Sequence, residues 1–185
     1  MGTRGIYGFY KDGVDKLTYK HMDSYPSYLG AEIIDFIKTT SIEELNKIFD
    51  KIILVNGDSK PTEEQIKECE DFTNLGVSNQ STSDWYCILR NSQGDLNAYK
   101  GNLKYMIDNK GFIKDSLFCE WGYIINLDDN ILEIYRGLIR SRNSRNNRYW
   151  TLKHNGYCAC EIIKTFPLNN IPDNWLEILE PSEEH

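Results

Sequence analysis

The sequence predicts a single α+β domain over residues 1–180, in which two hairpins, one near each end, close one largely antiparallel sheet and helices pack on it. Three observations predict this. Asp12-Gly13 sits between two runs of apolar, aromatic and β-branched residues; from Ser116 the apolar residues alternate with period two; between these stretches they recur at helical spacing. The chain has 185 residues, 40% of them apolar and 12% aromatic. A chain of this size hides about 70% of its unfolded surface and can build a core without disulfide or metal staples.

The elements follow in order. Gly5 to Tyr10 and Lys16 to His21 form a hairpin about Asp12-Gly13, because glycine accepts the positive φ of the primed turns. Pro26 lacks an N–H donor and turns Tyr25 away from helical angles, so the strand breaks there; a helix follows with Leu29, Ile33, Ile34 and Ile37 inward. Ser41-Ile-Glu-Glu44 is a capping-box pattern, opening a helix through Leu45, Ile48 and Phe49 into a buried strand at Ile52–Val55. Thr62-Glu-Glu-Gln65 repeats the box and opens a short acidic helix to about Phe72. Residues 73–82 read as loop. Ser83-Asp84 caps a helix with Trp85, Ile88 and Leu89, and a second helical run carries Leu96, Tyr99, Leu103, Met106 and Ile107. Leu117–Asn126 and Ile131–Arg136 form the second hairpin, Tyr157–Phe166 a further strand ended by Pro167, and Trp175, Leu176 and Leu179 a short helix before a polar tail at 181–185.

Composition excludes several classes. No apolar run approaches the roughly 18 to 20 residues a membrane-spanning helix needs, and Met1-Gly-Thr-Arg-Gly-Ile6 lacks the apolar stretch of a secretory signal, so the expectation is a cytoplasmic protein without a membrane role. Five cysteines, an odd count, argue for reduced thiols. Cys158-Ala-Cys160 could supply half a metal site, but no second ligand pair with suitable spacing accompanies it, and neither a metal nor a cofactor is expected. Neither G-x-x-x-x-G-K-[ST] nor a strand-linked G-x-G-x-x-G is present, which excludes the phosphate-loop and dinucleotide signatures.

Three groups of residues could carry function. His21, Asp23, Ser24 and Tyr25 lie together after the first hairpin, with Arg4 on the neighbouring strand. Strand alternation would put His21 and Asp23 on one face, so that a carboxylate orients an imidazole beside the Ser24 hydroxyl. The alternative account is a turn in which Asp23 and Ser24 accept backbone N–H bonds. The second group is a basic stretch, Arg136, Arg140, Arg142, Arg145, Arg148 and Lys153, with Tyr149 and Trp150 beside it. Its six cations leave the other 167 residues at −13, against −7 for the chain. Such a stretch could grip phosphates and stack on a base, or be a solvated loop; the acidic remainder argues against nucleic acid as the main partner. The third is aromatic: Trp85-Tyr86 and Glu120-Trp121-x-Tyr123 could line a pocket with Glu120 as acid or hydrogen-bond acceptor, or could simply be core.

Gly2-Thr-Arg-Gly5 opening a hairpin, His21-Met-Asp-Ser-Tyr-Pro-Ser-Tyr-Leu-Gly30, Asp84-Trp-Tyr-Cys-Ile-Leu-Arg90, Asp115–Asp129 and Thr165–Trp175 together resemble an uncharacterised family of small proteins found in bacteria and their phages. The resemblance spans nearly the whole chain outside the basic stretch. It implies one intracellular domain, in the host cytoplasm if phage-encoded, and a setting in or against bacterial defence; it assigns no site residues. A fainter likeness to N-terminal-nucleophile hydrolases stops at Gly2, which has no side chain to act as nucleophile.

These readings converge on a non-catalytic binding protein for an anionic, nucleotide-like small molecule or an acidic protein surface. Its expected contacts are Arg4, His21, Asp23, Tyr25, Arg140, Arg142, Arg145, Arg148, Tyr149 and Trp150. The alternatives are a hydrolase or transferase centred on His21, Asp23, Ser24 and Glu120, and a protein-interaction domain whose aromatic surplus marks a homo-oligomer interface.

Overall fold

The computed structural model describes residues 2–77, 84–141, 147–150 and 156–179. In chain order its regular elements are β1 (Gly5–Lys11), β2 (Val14–Lys20), α1 (Ala31–Lys38), α2 (Ile42–Lys51), β3 (Ile53–Val55), α3 (Glu63–Glu68), α4 (Trp85–Ile88), β4 (Tyr105–Ile107), β5 (Trp121–Asn126), β6 (Ile131–Arg136), β7 (Glu161–Pro167) and α5 (Trp175–Leu179).

The two hairpins form as expected. Asp12 and Gly13 both take positive φ, 52° and 76°, the geometry a two-residue turn needs to match the twist of its strands. Five strands make one sheet in the order β2-β1-β5-β6-β7. Three of its interfaces are antiparallel, and the fourth is a parallel pairing of β1 with β5 in the register Gly5–Trp121, Tyr7–Tyr123 and Phe9–Ile125. The helices occupy the long crossover that a parallel pair requires. The fold is therefore α+β with a mostly antiparallel sheet.

Both faces of this sheet are covered. Tyr7, Phe9, Tyr123, Ile125, Leu132 and Ile134 pack with Ile33, Phe36 and Ile37 of α1 and Leu45, Ile48 and Phe49 of α2. Phe9 meets Phe36 and Phe49 edge-on, each with ring centroids 6.4 Å apart. The alternate residues Ile6, Leu17, Ile124 and Tyr135 face a second core made by Ile113, Cys119, Tyr149, Ala159 and Cys160. All six residues of β5 are buried, as befits a central strand with a layer on each side.

Several local expectations are corrected. Ile53–Val55 is not a buried sheet strand: Ile53 is 48% exposed, and β3 pairs only with β4, in parallel. The helical run expected over Leu96–Ile107 is a 3₁₀ turn at Leu96–Lys100 followed by β4. Leu96, Tyr99, Leu103 and Met106 are nevertheless buried, so the apolar spacing marked the core correctly. The chain turns extended after Gly101, and the Ile53 N–H then bonds the Lys104 carbonyl at 2.7 Å, a pairing that no local pattern announces.

Helix α3 stops at Glu68, and a 3₁₀ turn carries the chain to Phe72. Its capping box between Thr62 and Gln65 is complete, while Ser41 accepts the Glu44 N–H at 3.2 Å. The second hairpin begins at Trp121 rather than Leu117, and β7 at Glu161 rather than Tyr157. Residues 78–83, which hold Ser83, and the polar tail at 181–185 lie outside the described residues.

All five cysteines are unpaired and buried. Among the described residues no group of His, Cys, Asp and Glu side chains could hold a metal ion, and no helix is long and apolar enough to cross a membrane.

Candidate functional site

The segment before β1 is gripped from both sides. The Ser24 N–H, just after β2, bonds the Thr3 carbonyl at 3.2 Å, and the Glu120 N–H, just before β5, bonds the Arg4 carbonyl at 3.0 Å. The chain leaving β6 closes the third side, with the Gly137 N–H on the Glu120 carbonyl at 2.8 Å and the Leu138 N–H on the Ser116 carbonyl at 2.6 Å. Two glycines make these approaches possible. A side chain at Gly5 would put its Cβ 2.6 Å from the Ser24 Cβ, and one at Gly137 would collide with the Cys119 carbonyl.

Between these segments lies an open cleft of about 470 Å³, lined by Thr3, Arg4, Tyr25, Leu117, Phe118, Glu120 and Leu138. Tyr25 and Phe118 are each 44% exposed and Leu138 56%, an apolar surface that monomeric proteins usually keep small. The Arg4 guanidinium lies 5.4 Å from the Phe118 ring centroid. Among the described residues no carboxylate stands within 4.0 Å of it, and the Glu120 carboxylate likewise has no hydrogen-bonding or ionic partner. Arg4 also acts on Tyr19, whose hydroxyl is raised above its ordinary value by burial, with the Arg4 charge working against that rise.

Arg4, Tyr25 and Glu120 thus come together from three separate stretches of sequence. The parallel register brings them close, since Gly5 pairs with Trp121 and their predecessors are Arg4 and Glu120. His21, Asp23 and Ser24 do not form a relay. Strand β2 ends at Lys20, so alternation does not reach Asp23, which turns through a positive φ of 57°. His21 is exposed and shares a 3.1 Å hydrogen bond with the Tyr19 hydroxyl, while Ser24 is fully buried with no partner for its Oγ.

The basic stretch does not supply a free cluster of guanidiniums among its described members. Arg148 makes a two-pronged ion pair with Glu133, both contacts 2.7 Å, and stacks on Tyr10 with its guanidinium 3.9 Å from the ring centroid. Glu133 is only 3% exposed and also accepts from Asn126 at 2.9 Å and Tyr135 at 3.0 Å. Burial works against the Arg148 charge, but the bonded Glu133 outweighs it and holds the guanidinium protonated beyond its ordinary range.

Tyr149 is buried and donates to Asp15; burial, reinforced by that carboxylate, pushes its hydroxyl well above the usual tyrosine value. Arg140 donates to the Tyr157 hydroxyl at 3.0 and 3.3 Å and lies over its ring. Trp150 is half-buried at the end of the same clamp, its N–H on the Asn147 carbonyl. Arg142, Arg145 and Lys153 lie outside the described residues.

Phe118 and Leu138 are cleft residues that sequence reasoning did not single out. Phe118 belonged to a run read wholly as strand, and Leu138 follows the hairpin with no local mark of its role. Glu133, by contrast, carried a usable signal, a lone acid inside the apolar run Ile131-Leu-Glu-Ile-Tyr135. Set against family models, curated proteins and solved structures, the chain matches none of them.

Proposed function

We propose that this protein is a non-catalytic binding protein that captures a small anionic molecule with a planar ring, nucleotide-like in its chemistry, in the cleft between Arg4, Tyr25, Phe118 and Glu120. One observation carries the reading: a guanidinium poised over an aromatic ring, in a cleft large enough for such a ligand, with no carboxylate among the described residues within 4.0 Å to neutralise it. A guanidinium offers a planar fork of donors suited to phosphate or carboxylate, and the half-exposed rings offer faces for stacking. A cleft of this volume falls in the range of small-molecule sites, and its concavity suits a compact ligand better than the face of an acidic protein. Capture rather than turnover is supported by the bonding of His21 to Tyr19 and the burial of Ser24.

The test is calorimetric titration with a panel of nucleoside mono- and diphosphates at low and at high salt. The expected result is saturable binding that weakens with salt and falls about tenfold or more in Arg4→Gln, the loss of one charge-assisted hydrogen-bonding group. Absence of binding across the panel, or binding indifferent to Arg4→Gln, refutes it.

A further inference from the structure

Glu120 stands in the same cleft with a different chemistry to offer. Its backbone is fixed at both groups, N–H to the Arg4 carbonyl at 3.0 Å and carbonyl to the Gly137 N–H at 2.8 Å, so its side chain springs from a rigid point at the start of the central strand β5. It is half-buried and lines the cleft with Phe118 and Leu138, and among the described residues nothing donates to its carboxylate. An ionised carboxylate only accepts, and covering one without a donor forfeits its hydration. A bound ring would cover it, and the ligand must then return donors to two oxygens.

Resting on the proposed function above, we infer that Glu120 makes the cleft selective for a ring with two adjacent N–H donors on one edge, as the guanine base presents through N1–H and its exocyclic amine. Adenine and cytosine each place a ring acceptor beside their amine, and that acceptor would face a carboxylate oxygen. Uracil offers one N–H flanked by two carbonyls. Hypoxanthine keeps N1–H and loses the amine, which makes it the intermediate case. Discrimination of this kind is steep because the wrong ligand leaves a buried polar group unpaired. Arg4 plays no part in the choice, since it addresses the anionic group that all these ligands share.

The experiment titrates the full chain with GMP, IMP and AMP. GMP should bind tightest, about ten- to a hundredfold over AMP, with IMP between them, as expected for one or two hydrogen bonds to a charged acceptor. Glu120→Gln, close in size and on the surface of the fold, should erase that ranking, while Arg4→Gln should weaken all three alike and preserve it. Far-ultraviolet circular dichroism of both variants should match the parent.

Equal binding of the three monophosphates, or an unchanged ranking in Glu120→Gln, overturns the selectivity and leaves the proposed function standing. Failure of all three to bind, with the wider nucleotide panel also silent, removes both.

Discussion

Two arginines of this molecule lie over aromatic rings at the two ends of β1, and their surroundings differ in one respect. Arg148, stacked on Tyr10, is closed in by the nearly buried carboxylate of Glu133; Arg4, stacked on Phe118, has no carboxylate at hand among the described residues. The first is an internal fastening, joining the segment 147–150 to β6 through a network that also includes Asn126, Tyr135, Asp15 and Tyr149. The second leaves its hydrogen-bonding capacity to solvent or to a ligand. The same residue type on the same kind of surface serves stability in one place and is available for recognition in the other, and the presence of a counter-charge separates the two.

The sharpest way to test that contrast is to remove the counter-charge. Glu133→Gln leaves the partly buried Arg148 without its ion-pair partner, and breaking a buried pair from one side costs about 3 to 5 kcal/mol. The corresponding change at the other end, Arg4→Gln, removes an exposed charge that no carboxylate among the described residues holds and should move stability by no more than about 0.5 kcal/mol. Urea unfolding of the two variants beside the parent measures both. Similar midpoints for the two would erase the distinction between fastening and free cation.

The next effect in size concerns the wall of the cleft. At Gly137 a Cβ would run into the Cys119 carbonyl, which is backbone and has little room to retreat. Gly137→Ala should cost about 1 to 3 kcal/mol through overpacking and displace Leu138 and the segment at Cys119 and Glu120 with it. It should therefore lower nucleotide affinity as well as the unfolding midpoint, whereas Arg4→Gln lowers affinity alone. A Gly137→Ala protein with parental stability and affinity would mean that the cleft is not held in the shape described.

What was legible in the sequence divides along the same line. Hairpins announce themselves locally: Asp12-Gly13 fixes one turn, and the alternation from Trp121 to Arg136 fixes the strands of the other. The parallel junction of β1 with β5 has no such mark, because pairing between residues more than a hundred apart depends on which edges remain after everything else has packed. That junction is also what assembles the cleft. Arg4, Tyr25 and Glu120 could each be singled out as chemically interesting, and Arg4 grouped with Tyr25, but only the register of Gly5 against Trp121 brings Glu120 to them.

At Arg148 the limit is of the opposite kind. Summed charge along residues 136–153 is a property of the chain, while the neutralisation of Arg148 by Glu133 is a property of the fold, set by a partner on the adjoining strand. The strand at Tyr105–Ile107 shows the same limit in a milder form. Its apolar spacing correctly indicated burial and could not decide between a helix and an extended segment.

The smallest effect tests how completely the fastening around Arg148 is satisfied. Asp15, which accepts the Tyr149 hydroxyl, has its carboxyl raised above its ordinary value of 3.8 by burial, and the Tyr149 bond and the Arg148 charge offset that only in part. A carboxyl raised on folding binds its proton more firmly in the native state. Its contribution to stability is full below the unfolded value and is lost as pH climbs through the native one. Asp15→Asn keeps an acceptor for Tyr149 and removes the titration, so its melting temperature should gain on the parent's as pH is raised from below 3.8 toward neutrality. Were Arg148 still an unneutralised cation, its field would favour ionised Asp15 and the parent would gain instead; a trend of that sign would mean Glu133 does not neutralise Arg148 as the geometry implies, and the contrast between the two arginines would fall with it.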